Sequence, residues 1–315
     1  MRLTRYSILA GILVTLSALA LSCVGQSLPG TPQQAADRMI ELLQRKDFTP
    51  AIELGTQAVA RWPRNPDLQH LLGLAHFQSG ALESAVPELT RAAQLAPTRP
   101  DFHYDLGLSL LARKDYSKAA DALKKSLQLK PGNAVGRILL GRAYLNSNRG
   151  VLAVEQFRLA LTEDPNIPLG HYHLGFAYAS LGRTREAIPE LRKETELHPE
   201  NAEAQYQLGH TLLETGEATA AVPVLKKAIA LDAGRAEAHY DLGKALAAAG
   251  DYKSATEALR QSITLNPDDP SAHYQLARVL EKLGQRDQAQ EEFAMFARLK
   301  KNQPAEGGMA SGRVR

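Results

Sequence analysis

The chain of 315 residues contains one cysteine, Cys23, and one tryptophan, and aromatic residues make up 6% of it. A lone cysteine excludes an internal disulfide, so packing alone must stabilise the folded chain. The formal net charge is only +3. A nearly balanced chain without a clustered basic face gives no reason to expect a nucleic-acid partner.

Motifs that carry catalysis are also absent. The sequence has no H-E-x-x-H, no G-x-S-x-G and no phosphate-binding loop, since Gly243-Lys244 is followed by Ala245 and lacks the preceding glycine. The one cysteine lies near the N-terminus, which leaves no centre for nucleophilic catalysis. We therefore expect no catalytic residues, no cofactor and no metal site.

The N-terminal residues have the order of a secretory signal. Arg2 and Arg5 precede an uncharged apolar stretch over residues 8–21, and small residues follow it. That stretch is shorter than the roughly 20 residues that cross a bilayer as a helix. The order predicts a signal peptide over residues 1–22 and an exported protein, located in the periplasm, attached to a bacterial outer membrane, or secreted.

Cys23 follows the apolar stretch directly, and its surroundings resemble a bacterial lipobox. The resemblance is incomplete, because Ala20 stands where the lipobox prefers leucine. Two interpretations stay open: lipidation of Cys23, or plain cleavage after Ala20 or Ser22. Membrane contact is expected only through such an anchor.

One period runs through the rest of the chain. A Leu-Gly pair, replaced by Leu-Ala in the seventh copy, recurs every 34 residues, with glycine or alanine at Gly73, Gly107, Gly141, Gly175, Gly209, Gly243 and Ala277. An alanine recurs at the same step at Ala85, Ala119, Ala153, Ala187, Ala221, Ala255 and Ala289. Such self-similarity is typical of a repeat architecture.

These residues resemble the tetratricopeptide repeat, a hairpin of two helices with small residues at its eighth and twentieth places. Seven matched units start at Pro66, Pro100, Ala134, Pro168, Ala202, Ala236 and Pro270, and a degenerate unit starts at Pro32. The resemblance implies an all-α, right-handed superhelical solenoid of about eight repeats over 32–303. Residues 23–31 then form a linker, and 304–315 a disordered tail.

Glycine and proline recur at fixed places within the unit. Gly182, with glycines at the same place of other units, lies between the two helices where a left-handed backbone is easiest for glycine. Pro87, Pro189 and Pro223 lie two places after the small alanine. Prolines at that depth predict that the second helix starts late or bends.

Nine histidines raise the question of a metal. Four of them take the fourth place of their unit, where the family has a large side chain packed between the two helices: His103, His171, His239 and His273. His171 and His173 are two residues apart, so they diverge on a helix. We expect these histidines to be structural.

The second, fifth, ninth and twelfth places share one helical stripe, which lines the concave groove in the family. The fifth place is tyrosine in five units. Tyrosine is frequent there in the family and packs partly against its neighbour, but amphipathic aromatics also supply binding area. The predicted peptide-binding groove comprises Tyr104, Tyr172, Phe176, Tyr206, His210, Tyr240, Lys244, Tyr274, Arg278 and Lys282.

The carboxylate clamp of cytosolic chaperone adaptors in this family has lysine at the fifth place, where this chain has tyrosine. The clamp is therefore absent. The sequence favours a non-catalytic scaffold of the cell envelope that binds a peptide or protein segment and serves the assembly of an envelope machine. The alternative is a glycan-binding or enzyme-regulating subunit.

Overall fold

Sixteen α-helices and no strand make up residues 29–302, the part of the chain that the computed structural model describes. The predicted signal, Cys23 and the predicted tail lie outside these residues. The chain divides into two compact units, the first ending at Asp115 and the second beginning at Tyr116. The all-α prediction is confirmed.

The first unit contains five helices: α1 Pro32–Gln44, α2 Phe48–Arg61, α3 Pro66–Gln78, α4 Leu82–Leu95 and α5 Pro100–Ala112. The second unit contains eleven: α6 Tyr116–Leu129, α7 Ala134–Asn146, α8 Gly150–Glu163, α9 Gly170–Ser180, α10 Thr184–Leu197, α11 Ala202–Glu214, α12 Ala218–Leu231, α13 Ala236–Ala248, α14 Tyr252–Leu265, α15 Pro270–Lys282 and α16 Arg286–Asn302. Odd-numbered helices are the first helices of the hairpins, and even-numbered helices are the second.

The first helices begin where the register predicts, with one exception. In the hairpins that keep the register, the residue before the first helix is its N-cap, and threonine, asparagine or aspartate there accepts a hydrogen bond from a backbone N–H of the first turn. Arg99 and Arg235 are N-caps without such a bond. Asn65, Asn133 and Asn201 accept such bonds at 2.9 to 3.1 Å. Thr31 forms a capping box with Gln34.

The turn inside each hairpin holds one residue in the left-handed region. Its φ lies between 58° and 86° at Lys46, Gly80, Lys114, Asn148, Gly182, Gly216, Gly250 and Gly284. The glycine prediction is confirmed, and the two lysines adopt the same conformation because the hairpin geometry requires it at that place.

The small eighth place brings the paired helices into contact. A Cβ added at Gly243 would lie 2.5 Å from Leu259 Cγ, and one added at Gly141 would lie 2.4 Å from Phe157 Cε1. The alanines at the twentieth place are 0% to 2% exposed. Larger side chains at either place would hold the helices apart.

The expectation that deep prolines delay the second helix is wrong. The proline-containing helices α4, α10 and α12 begin in the same register as α6, α8 and α14, which lack the proline. The first i to i−4 bond, such as Ala85 N–H to Ala81 O at 3.0 Å, forms two residues before Pro87. The proline therefore removes only a later donor.

The exception is the fifth hairpin. Its predicted start is Pro168, but α9 begins at Gly170, and Leu169 has a left-handed φ of 62°. The N-cap of α9 is Leu169, and Ile167, at the place that caps the other first helices, buries an apolar side chain that is 5% exposed. α9 therefore lacks the first two residues that the other first helices have.

A buried carboxylate supplies the missing acceptor. Glu194 of α10 is 1% exposed, and its Oε2 accepts the N–H of Tyr172 in the first turn of α9 at 3.2 Å. A negatively charged carboxylate near a helix N-terminus is also stabilised by the positive end of the helix dipole. Six other units have alanine or serine at this place: Ala58, Ala92, Ser126, Ala160, Ala228 and Ser262.

Within each unit the first helices contact one another in turn. In the first unit α1 contacts α3 and α3 contacts α5, and in the second unit the contacts run from α7 through α9, α11 and α13 to α15. No two second helices make such a contact in the described residues. The first helices therefore form the closely spaced, inner face of each unit. None of the helices in residues 29–302 has the length and apolar character needed to cross a bilayer.

Candidate functional site

Nine of the ten predicted groove residues lie on four adjacent first helices of the second unit, α9, α11, α13 and α15, and Tyr104 lies on α5 of the first unit. Each helix contributes its fifth place, and α9, α11, α13 and α15 also contribute the ninth. Since these helices contact in turn, the stripes lie side by side on one face. We call the face of α9, α11, α13 and α15 the inner groove.

The five tyrosines at the fifth place are not fully exposed to solvent. Tyr104, Tyr172, Tyr206 and Tyr240 are half-buried, and Tyr274, in the last repeat, is 37% exposed. Burial raises the pKa of Tyr172 and Tyr206 to about 12. Their hydroxyls therefore stay protonated, and the Tyr206 ring lies 4.8 Å from the guanidinium of Arg235, just before the following repeat's first helix.

Three successive repeats place a cationic or titratable side chain beside a tyrosine on the same helix. Lys244 Nζ lies 5.2 Å from the ring centre of Tyr240, and the guanidinium of Arg278 lies 5.9 Å from that of Tyr274. In the repeat before them, the His210 ring lies 5.9 Å from Tyr206. Cation and ring attract each other in this arrangement and keep the charged group over the groove.

A buried aspartate that the sequence analysis missed organises the centre of this series. Asp241 is 3% exposed, and its Oδ2 lies 2.7 Å from His210 Nδ1. This hydrogen bond raises the pKa of His210 above its ordinary value, with Glu214 contributing. Lys244 lies 4.0 Å from the other oxygen of Asp241. The positive charge of the groove is thus partly balanced here.

Arg278 and Lys282 are different. Both are exposed, they lie one turn apart on α15, and neither has a carboxylate partner among residues 29–302. The uncompensated positive charge of the inner groove therefore lies at its last repeat.

The opposite end of the face is apolar. Val135 and Leu169, at the second place of α7 and just before α9, are 53% and 42% exposed. The same place carries charge in four other repeats, at Asp67, Asp101, Glu203 and Glu237. Phe176 stacks on Tyr172 at 6.0 Å between ring centres. Comparison of the second place between repeats would have identified both aliphatic residues from the sequence.

Arginine clamps between neighbouring repeats were also missed. Arg235, just before α13, pairs with Glu203 of the preceding repeat and lies 4.8 Å from the ring centre of Tyr206. Arg99 reaches Asp67 in the same way at 3.1 Å. Each clamp spans 32 residues, so only the repeat spacing could have indicated it.

The fourth-place histidines make hydrogen bonds to backbone carbonyls and carboxylates of neighbouring segments. His103, His239 and His273 bond the backbone carbonyls of Pro97, Ala233 and Pro267, at 3.0 to 3.2 Å. His171 and His273 also bond carboxylates of their own second helices, Glu190 and Glu292. The described residues contain no group of three or more potential ligands placed to hold a metal ion.

Comparison with known proteins agrees with this architecture. The tetratricopeptide repeat model matches residues 110–172, 178–240, 212–261 and 246–307. A model for subunit 3 of the anaphase-promoting complex, or cyclosome, matches 44–126. No curated protein matches the chain.

Several solved structures are similar. A MamA crystal structure is 28% identical, with a TM-score of 0.51, over 53% of this chain and 92% of MamA. YrrB, described as a tetratricopeptide-repeat protein with an unusual peptide-binding site, is 24% identical, with a TM-score of 0.52, over 58% of this chain and 95% of YrrB. PilF of Pseudomonas aeruginosa is 21% identical, with a TM-score of 0.55, over 64% of this chain and 92% of PilF.

The YrrB and PilF likenesses show the fold alone. The repeat model, by contrast, covers more than half of the chain, and the small places, turn residues and hairpin bounds recur in its register. The chain therefore belongs to the tetratricopeptide-repeat family.

Proposed function

We propose that the protein is a non-catalytic scaffold whose inner groove binds a peptide or protein segment. The observation that carries the proposal is the run of three tyrosines, each beside a histidine, lysine or arginine, on α11, α13 and α15. Rings held in place supply contact area at low entropic cost, and positioned cations supply orientation. Membership of a repeat family that forms interaction scaffolds supports this function.

The charge distribution indicates the ligand's chemistry. Exposed Val135, Leu169 and half-buried Phe176 suit apolar anchors. Arg278 and Lys282, without carboxylate partners in residues 29–302, suit acidic groups. We expect a segment with apolar side chains towards α7 and α9, and carboxylates towards α15.

The experiment is capture of partners from a cell-envelope extract by the full chain. Truncating an aromatic anchor typically costs 2 kcal/mol or more, roughly thirtyfold in affinity. Tyr206→Ala with Tyr240→Ala should therefore weaken the captured partner strongly at unchanged helical content. Lys244→Glu with Arg278→Glu should weaken it most at low salt, because exposed charges act mainly on association.

A matched control is Tyr116→Ala with Tyr252→Ala, which removes two tyrosines from second helices, away from the inner groove. This variant should retain the partner. If both groove variants capture the partner as well as the wild type does, the inner groove is not the binding face.

The cellular location of the protein is part of the same proposal. The signal-like leader and Cys23 support export to the envelope, with lipidation as the means of attachment and assembly of an envelope machine as the role. Cell fractionation tests this. Loss of membrane association in Cys23→Ser supports a lipid anchor; unchanged membrane association, with no fatty acid on the wild type, rejects it.

A further inference from the structure

The first unit has a pocket of its own, separate in composition from the inner groove of the second unit. Its volume is about 390 Å³, and it lies on the inner face formed by α1, α3 and α5. Ala36 and Leu71 are buried at its base, and Ile40 is 42% exposed. The pocket therefore offers an aliphatic surface to a ligand.

One wall is a stack of three planar groups. The Arg99 guanidinium lies 4.4 Å from the ring centre of Phe102, which lies 4.3 Å from that of His70. The His70 ring in turn bonds Asp105 at 2.7 Å. Phe102 is fully buried, so the stack is anchored in the core and the wall is preorganised.

The donors of Arg99 are already engaged. Its Nε and Nη2 donate to both oxygens of Asp101, at 3.0 and 2.7 Å, and its Nη1 donates to Asp67 at 3.1 Å. A bidentate pair of this kind fixes the guanidinium plane. Arg99 therefore serves to hold two carboxylates and has little capacity left for an incoming anion.

The charge of the pocket follows from this arrangement. Two carboxylates, with side chains 53% and 46% exposed, face one guanidinium that stays protonated. The His70 and Asp105 pair adds either no charge or one further negative charge, depending on the imidazole. The pocket is thus net negative in either state, and Asp67 and Asp101 keep free lone pairs towards solvent.

From these observations we infer that the first unit binds a basic segment of another protein, through a lysine or arginine side chain adjacent to an aliphatic one. The cationic group bonds Asp67 and Asp101, and the aliphatic side chain lies against Ile40 and Leu71. An acidic ligand or a nucleic-acid phosphate would meet two carboxylates and is excluded. The protein then recognises opposite charges in its two units, which suits a scaffold that holds two partners.

Two labelled peptides test the inference on the full chain carrying Arg278→Gln with Lys282→Gln, which removes the exposed inner-groove cations that would hold an acidic peptide. They are acetyl-Gly-Leu-Lys-Leu-Lys-Gly and its counterpart with glutamate in place of both lysines. Fluorescence anisotropy should show the lysine peptide binding at least about tenfold more tightly at low salt, with the difference shrinking as salt screens it. Asp67→Asn with Asp101→Asn should reduce the difference to less than about threefold, because both charges are lost.

Three variants act as controls and second probes. Glu203→Gln breaks the equivalent arginine clamp in the second unit, and should leave the preference for the lysine peptide intact. Tyr206→Ala with Tyr240→Ala should also leave the preference for the lysine peptide intact. Failure of the proposed inner-groove function is therefore distinguishable from failure of this inference. Ile40→Ser changes an exposed side chain outside the clamp, and should weaken the lysine peptide several-fold without loss of helical content. Equal binding of the two peptides by the chain that lacks the Arg278 and Lys282 charges, or a preference that survives the Asp67 and Asp101 substitutions in that chain, would overturn the inference.

Discussion

Two histidines of the second unit lie in opposite surroundings. His210 is held by Asp241, which raises its pKa, whereas burial and the nearby Arg142 lower the pKa of His173 to about 4. His173 also stacks on Phe157, at 5.4 Å between ring centres. The same residue type is thus favoured as a cation at one place and as a neutral ring at the other.

The low pKa of His173 predicts a loss of stability in acid. Below about pH 6.5 the unfolded chain gains a proton there that the folded chain does not accept until about pH 4. Folding should therefore lose up to roughly 3 kcal/mol across this window. His173→Gln should flatten the dependence, since Gln207 and Gln275 occupy the same place in other repeats.

The measurement is the denaturant midpoint of wild type and variant at pH 7 and pH 4.5. His198→Gln, at a partly exposed histidine outside any aromatic stack, should keep the wild-type dependence. Equal pH dependence of wild type and His173→Gln would show that the buried ring does not control acid stability.

At the scale of the element, the N-terminus of α9 receives a hydrogen-bond acceptor from the neighbouring helix α10. Ile167 buries its side chain at the place that caps the other first helices, and α9 starts two residues later than they do. The acceptor comes from Glu194, on the second helix of the same hairpin, which bonds the N–H of Tyr172. A groove tyrosine is thus positioned by a buried carboxylate outside the groove.

Replacing that carboxylate should loosen the helix start. Glu194→Ala leaves the N–H of Tyr172 without an acceptor and should cost about 1 to 3 kcal/mol. Glu194→Gln keeps a carbonyl acceptor and should cost less. Hydrogen exchange at the Tyr172 amide should accelerate in the alanine variant first. If alanine is tolerated as well as glutamine, α9 reverts to the register of the other repeats and the capping role is wrong.

Over the whole molecule, stability comes from hairpins stacked within each unit. The last hairpin ends the stack with Phe296, at the place where six other units have alanine or serine. Its ring lies 5.2 Å from that of Tyr274, and Phe293 lies 5.9 Å from the same tyrosine. A large residue at this place covers the final hairpin. The polar sequence of α16 alone did not predict this aromatic cover.

In a stacked array, destabilising one hairpin should loosen mainly that hairpin and its neighbours. In Gly175→Leu, the added Cβ alone would lie 2.7 Å from Leu191 Cγ and 3.2 Å from Ala187 O. Overpacking of this kind typically costs about 1 to 3 kcal/mol. Hydrogen exchange should increase most over residues 168–201 and progressively less in the hairpins beyond, because each repeat contacts only its neighbours.

The matched control is Gly234→Ala, whose new Cβ would have no contact closer than 3.6 Å. It should leave exchange and stability near wild type. A uniform increase of exchange over the described chain in Gly175→Leu would contradict the nearest-neighbour description.

The 34-residue period was enough to predict the hairpins, their small contact places and the left-handed turn residue. These features depend on local backbone geometry and on contacts that every repeat makes in the same way. The expected delay of the second helix by the prolines was wrong, because the first i to i−4 bond of each of these helices forms two residues before the proline. The late start of α9 within its unit is a feature that the period did not indicate.

The tertiary structure alone decided how the groove residues are used. It placed Arg235 beside Tyr206, brought Asp241 to His210, and formed the arginine clamps. Each of these contacts joins residues about one repeat apart, and its strength depends on side-chain direction and burial. A sequence period states which places are equivalent, but only the packed neighbour determines whether a side chain there is covered, paired or free to bind.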